Sequence, residues 1–199
     1  RTPNAFSPAW MYSIVTDFMG MKIIEHEYKV MGLAPYADKK GVAKTYSLLK
    51  PLFKVTDELS FTSKIHCHTY YRWLKRYLEK HRFDWIAGAV QQVIEELLVE
   101  WIKKAIKKTD VKNISVGGGV FMNVKANMLI AEMNEVENLT ICPTAGDESA
   151  AIGAAYLAYK KICEEKNIPF EPKPVTHLYL GPSYTDDEIK QAIDKYSFN

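Results

Sequence analysis

Apolar positions along the chain cluster into segments with helical spacing, broken by short runs of glycine, proline and polar residues. Residues 8–24 (PAWMYSIVTDFMGMKII) repeat apolar side chains three and four apart, which predicts a helix with Gly20 as its C-terminal breaker. The following stretch, EHEYKVMGLAPYADKKG, packs Gly32, Pro35 and Gly41 into a short span and predicts a loop-bearing element. Residues 42–82 mix short helical patterns with polar stretches, as expected of an inserted helical lobe. The clearest pattern covers 84–108, where Ile86, Val90, Val93, Leu97, Trp101 and Ala105 form a stripe widened by Ile94, Leu98 and Ile102. That is a helix with one broad buried face, with Asp84 as its N-cap. Lys103, Lys104, Lys107 and Lys108 suit the negative end of its macrodipole and read as a solvated helix end.

Beyond this helix the pattern alternates. NISV predicts a strand, Gly117, Gly118 and Gly119 break it, and a helix follows from about 123 to 135. LTICP predicts a second strand, and the polar loop TAGDES opens an alanine-rich helix over about 148–165. Strand, glycine loop, helix, strand, polar loop and helix make an α/β architecture, in which ligands bind outside the carboxyl ends of the strands. NIPFEPKPV, with three prolines, predicts a linker over 167–175 that closes a domain spanning 1–166. THLYLGPSYTDDEIKQAI then offers a strand, a turn and a helix with a Thr185–Glu188 capping box. Residues 176–199 are thus expected to begin a further domain.

Composition narrows the class. The chain has 199 residues, 47% of them hydrophobic and 25% charged, which fits a globular protein rather than a disordered one. A net charge of +2 gives no electrostatic reason to expect nucleic acid or an anionic membrane as partner. No apolar run approaches the roughly 20 residues of a spanning helix. Three irregularly spaced cysteines argue against a disulfide framework and for a reducing, cytoplasmic setting. The start RTPNAFSPAW and the end inside a helical pattern are expected of a piece of a longer protein.

Two loops are placed for chemistry. Glycines before a helix let backbone N–H groups face a phosphate without Cβ interference, and the helix N-terminus adds positive potential. The alternative for Gly117–Gly119 is a tight strand–helix turn; no GK[ST] and no GxGxxG follows. Asp147 is either a helix cap or a ligand for a hard divalent cation. Glu148 beside it reads as a first-turn charge. HCH at 66–68 looks metal-like, but adjacent positions do not share a face of a regular element, and no second cluster stands at zinc spacing. Tyr70 and Tyr71 read as packing contacts. His26 and His177 stand alone, with no Ser or Cys nucleophile paired to them.

Three stretches together resemble a known family. EHEYKVMGLAPYA is similar to the E-x-K-x-M-G-L-A-P-Y-G signature of the nodulation-type O-carbamoyltransferases. GGGVFMNVKAN resembles that family's G-G-V-x-x-N-x-K-x-N loop, and PTAGDESAAIGAA its P-x-x-G-D-x-G-x-A-x-G-A segment. Ala37 and Ser149 depart from the pattern where glycine is usual. The resemblance implies half of an actin/hexokinase-like (RNase H-like) nucleotide-binding domain, related to the tRNA threonylcarbamoyl-transfer enzymes. It implies a reaction in which carbamoyl-adenylate, made from carbamoyl phosphate and ATP, gives its carbamoyl group to a hydroxyl of a small-molecule acceptor.

By the same resemblance, Asp147 is a ligand of a divalent metal, iron or else manganese or magnesium, and acts in catalysis with Lys29. Gly117, Gly118, Gly119 and Asn123 hold the nucleotide phosphates, while Glu27 and Lys29 line the nucleotide or acceptor side. The histidine ligands and the adenylate-forming domain are expected elsewhere in the same polypeptide, so the chain alone is expected to be inactive. Asn123→Ala is expected to weaken nucleotide binding without unfolding the domain. A noncatalytic nucleotide-binding or scaffold module of the same fold is the competing reading.

Overall fold

The computed structural model describes residues 7–174, 179 and 181–196. The chain divides into two compact units, 1–151 and 152–199. In the first, helix α1 (Pro8–Phe18) opens with Pro8 at its first position, where no N–H is needed. It is shorter than its apolar pattern. Gly20 adopts φ +76°, and the N–H groups of Gly20 and Met21 turn back onto the carbonyls of Asp17 and Thr16, so the helix closes there. Residues 21–24 continue the apolar spacing outside the helix.

The stretch expected to be loop-bearing is instead mostly helical. Helix α2 (Glu27–Leu33) includes Gly32, and a 3₁₀ turn (Ala34–Tyr36) contains Pro35. Ala37 lies at φ −77°, ψ 139°, ordinary extended backbone, so the fold asks for no glycine there.

The segment 42–82 is not purely helical. Helix α3 (Lys39–Leu49), capped by the Asp38 carboxylate accepting from Gly41 N–H, leads into strands β1 (Phe53–Val55) and β2 (Phe61–Ser63). These pair antiparallel, with Lys54 opposite Thr62, before helix α4 (Cys67–Leu78). Tyr70 is buried against Phe53, with ring centroids 5.7 Å apart, and Tyr71 meets Phe18 edge-on at 5.9 Å.

Helix α5 (Phe83–Thr109) is the axis of the core. Ala87, Val90, Val93, Ile94, Leu97 and Leu98 are fully buried along it. Its N-cap is Arg82 rather than Asp84, which sits in the first turn and accepts from the Arg82 guanidinium at 3.0 Å. At the far end Lys104 does more than face water: its ammonium donates to the Val55 carbonyl at 2.7 Å and pairs with Asp57 at 3.1 Å, tying the hairpin to the helix.

Strand β3 (Asn113–Val116) runs parallel to β4 (Asn138–Ile141), in register from Asn113–Asn138 to Val116–Ile141. Helix α6 (Val124–Ala131) makes the crossover and ends four residues short of the expected position, as the Glu132 and Met133 N–H groups close its last turn. Helix α7 (Ser149–Glu165) begins within one residue of expectation.

In the second unit α7 continues to Glu165, and the proline-rich segment 167–174 has no regular structure. Tyr156 donates to the Lys173 carbonyl at 2.7 Å, and the Tyr159 and Phe170 rings lie 5.3 Å apart. Helix α8 (Asp186–Tyr196) starts with the expected capping box: Thr185 N–H donates to the Glu188 carboxylate at 2.8 Å, and Glu188 N–H donates to Thr185 Oγ1 at 3.3 Å. His177 and the rest of the expected strand THLYL, Tyr179 excepted, fall outside the described residues. Among the described residues no helix is long and apolar enough to cross a membrane. Cys67, Cys142 and Cys163 are free thiols.

Candidate functional site

Parallel pairing puts the carboxyl ends of β3 and β4 side by side, so the loops that follow them share one edge. Cys142 N–H donates to the Val116 carbonyl at 2.9 Å, and a Cβ on Gly117 would lie 3.6 Å from Cys142 Cβ. The glycine loop and the loop carrying Asp147 are therefore neighbours, although about thirty residues of sequence separate them.

The turn itself requires only one of the three glycines. Gly118 has φ +100° and ψ 149°, a conformation that side chains with a Cβ rarely adopt. At Gly117 a Cβ would make an ordinary contact, and at Gly119 it would meet nothing within 4 Å. All three are exposed. Among the described residues the N–H groups of Gly118 and Gly119 donate no backbone hydrogen bond, so they are free to face a ligand. A tight turn accounts for Gly118 alone; open space over Gly119 is what approach to a bulky anion requires.

Asn123 ends the short 3₁₀ turn (Gly119–Met122) and caps α6, its Oδ1 accepting from Ala126 N–H at 3.1 Å. The same oxygen accepts from Gln91 Nε2 at 3.0 Å, and Asn123 Nδ2 donates to Gln91 Oε1 at 2.9 Å. Three of its four hydrogen-bonding positions thus serve the fold, leaving one Nδ2 hydrogen. Most of the side chain's bonding capacity is committed within the fold.

Gln91 extends the network. Its Oε1 also accepts from the Tyr12 hydroxyl at 2.9 Å, and its Nε2 donates to Glu95 at 2.7 Å. Burial pushes the Tyr12 phenol well above its ordinary pKa, and the charges of Glu95 and then Glu27 push it further. The Glu27 carboxylate itself accepts from Ile24 N–H at 2.8 Å. Lys29 is exposed, with its ammonium 5.8 Å from the Tyr28 ring centre, and no hydrogen bond or ion pair joins it to the glycine loop among the described residues.

Asp147 is exposed in the turn before α7. Its carbonyl accepts from Ala150 N–H at 3.0 Å, while its carboxylate accepts no hydrogen bond among the described residues and so does not cap the helix. Thr144, with φ +50°, holds the loop in a left-handed bend. Ser149, where the related pattern has glycine, donates its hydroxyl to the Gly146 carbonyl at 2.8 Å and tightens the same turn. His26 Nδ1 accepts from Lys22 N–H at 3.0 Å, a local turn contact.

Sequence reasoning missed Tyr12, Gln91 and Glu95. Gln91 is the one signal it offered: a glutamine inside an apolar stripe, one turn ahead of Glu95, needs a buried partner.

A family model described as the carbamoyltransferase N-terminus matches residues 4–156, which hold every residue of this site. The chain belongs to the carbamoyltransferase family. Relatives within reach of this family include an uncharacterized protein of Synechocystis, 28% identical over 94% of this chain and 34% of its own length. The nodulation protein NolNO of Sinorhizobium fredii is 24% identical over 93% of this chain and 27% of its own length. A tRNA N6-adenosine threonylcarbamoyltransferase of Fervidobacterium nodosum is 32% identical over 45% of this chain and 27% of its length. The chain therefore spans about a third of the length of the curated relatives it matches.

Proposed function

We propose that the chain forms the nucleotide side of an O-carbamoyl-transfer site, as the second half of an actin/hexokinase-like nucleotide-binding domain. The observation that carries this reading is the glycine loop, with two glycines that its own turn does not need, lying against the Asp147 loop at one strand edge. Gly118 and Gly119 N–H groups, the N-terminus of α6 and the spare Asn123 hydrogen are then the donors for the adenylate phosphates. Glu27 flanks the nucleotide or acceptor, and Lys29 reaches it only by leaving the face of Tyr28.

In the transfer, the acceptor oxygen bonds to the carbamoyl carbon, the bond from that carbon to the adenylate phosphate breaks, and AMP leaves. The acceptor proton passes to a base. Positioning and charge stabilisation dominate such a step, which agrees with a site built from amides rather than around a nucleophile. Asp147 fits a hard divalent ion, since its carboxylate is exposed and accepts no hydrogen bond in the fold. It supplies one ligand, so the remaining ligands belong to other parts of the polypeptide. When bound, such an ion polarises a carbonyl or phosphoryl oxygen.

Calorimetric titration of a nonhydrolysable ATP analogue, with and without manganese, tests the reading. Metal-dependent heat that Asp147→Ala removes is expected. Binding that ignores both the metal and Asp147 would favour the noncatalytic module.

A further inference from the structure

The tripeptide His66–Cys67–His68 carries three metal-ligating side chains in a row, which a regular element would send to different faces. The fold removes that objection. His66 is the N-cap of α4, with extended dihedrals (φ −79°, ψ 146°), while Cys67 and His68 are its first two helical residues. The chain bends between them. As a result one ligand atom from each residue lies within 4.8 Å of the other two. Cys67 Sγ is 3.7 Å from His66 Nδ1, and the two imidazoles stack with centroids 4.9 Å apart and planes 28° from parallel. His68 N–H donates to the same Nδ1 at 3.4 Å, a long bond.

A tetrahedral zinc ion at its usual bond lengths holds nitrogen and sulfur ligands about 3.3–3.8 Å apart. The Sγ–Nδ1 separation already falls in that range, and rotation of the exposed His68 ring brings in the third donor. One thiolate and two imidazoles form a borderline-soft set that suits zinc better than magnesium or calcium. The platform is firm: Tyr70, Leu74 and Leu78 anchor α4 in the core.

We propose that His66, Cys67 and His68 form a binding site for a zinc-class divalent ion, with a fourth position open to water or an outside ligand. The site stands on a different element from the glycine and Asp147 loops and does not depend on the carbamoyl-transfer reading. Binding forms bonds from the metal to Cys67 Sγ and to the imidazole nitrogens. It breaks the Cys67 S–H bond with release of that proton to solvent, and takes the His66 Nδ1 lone pair from its long contact with His68 N–H, with no change of oxidation state.

The 199-residue chain is titrated with zinc, and with cobalt(II) as a coloured substitute. Uptake of one ion per chain is expected, with a thiolate-to-cobalt charge-transfer band and release of about one proton per ion into weak buffer. Cys67→Ser should abolish the band and weaken zinc binding at least tenfold. His68→Ala should also weaken it, with unchanged circular dichroism in both variants, while Cys142→Ser, at another free thiol, should change neither readout. The proposal is overturned if zinc does not bind or if cobalt gives no thiolate band. Equal affinity in wild type, Cys67→Ser and His68→Ala, or loss of the thiolate band in Cys142→Ser, would overturn it as well.

Discussion

Gln91 is 4% exposed, in the middle of an apolar helix face, and each of its amide hydrogen-bonding positions is filled. It joins Tyr12, Glu95 and Asn123 into one unit, so removing any member leaves another unsatisfied. Gln91→Ala strips the Tyr12 hydroxyl of its acceptor and is expected to cost about 1–3 kcal/mol in urea unfolding. Asn123→Ala removes the α6 cap as well, for a further loss of about 1 kcal/mol. Because the two amides bond each other directly, the double variant should depart from additivity by about 0.5–3 kcal/mol. Strict additivity would show that the amide pair is not a coupled unit. This changes what Asn123 means for function. Its amide is held at a fixed angle by Gln91 of α5, so a role in orienting a ligand would have to use the one Nδ2 hydrogen that remains.

At the scale of elements, α3 crosses α5 by exchanging side chains for glycines. A Cβ on Gly41 would lie 2.1 Å from the Trp85 ring, and one on Gly88 would lie 2.6 Å from Val42. Gly41→Ala must displace the indole and is expected to lower stability by about 1–3 kcal/mol, read from thermal unfolding. The same crossing carries a polar tie. Glu96 accepts from Tyr46 and Gln92 and pairs with Lys50 at 3.1 Å. Partial burial raises the Glu96 pKa, but the bonds from Tyr46, Gln92 and Lys50 outweigh it, and the net shift is downward. Burial and the bond to Glu96 push Tyr46 up to about 12. With a depressed folded pKa, Glu96 stabilises the fold above the ordinary carboxylate range, and this contribution disappears as pH falls through its lowered value. Glu96→Gln should therefore lose less stability than wild type on acidification below about pH 4.

Helix α5 was legible because its apolar stripe runs from Ile86 to Ile106, about six turns. The hairpin was not, since strands of three residues are too short to show a period of two. The end of α1 was legible at Gly20, whose left-handed backbone closes the helix, although the apolar spacing runs on to Ile24.

Over the whole molecule, the parallel pair and its two loops could be read from glycine and polar punctuation after each strand, and so could the α2 signature. Their assembly could not. Tyr12 and Gln91, which tie α1 and α5 to Asn123 beside the glycine loop, belong to no motif and look like ordinary helix residues one at a time. The HCH cluster was set aside on a rule about regular elements that a helix cap does not obey. Family membership rests on a match over 4–156, and within that span the exposed loop amides are the feature most directly tied to nucleotide chemistry. The decisive measurement follows the backbone amides of the isotopically labelled chain by NMR while a nonhydrolysable ATP analogue and magnesium are added. Saturable shifts concentrated at Gly117–Gly119, Val124 and 144–149 are expected. Saturating shifts elsewhere, with these amides unmoved, would contradict a nucleotide site at the carboxyl edge of β3 and β4.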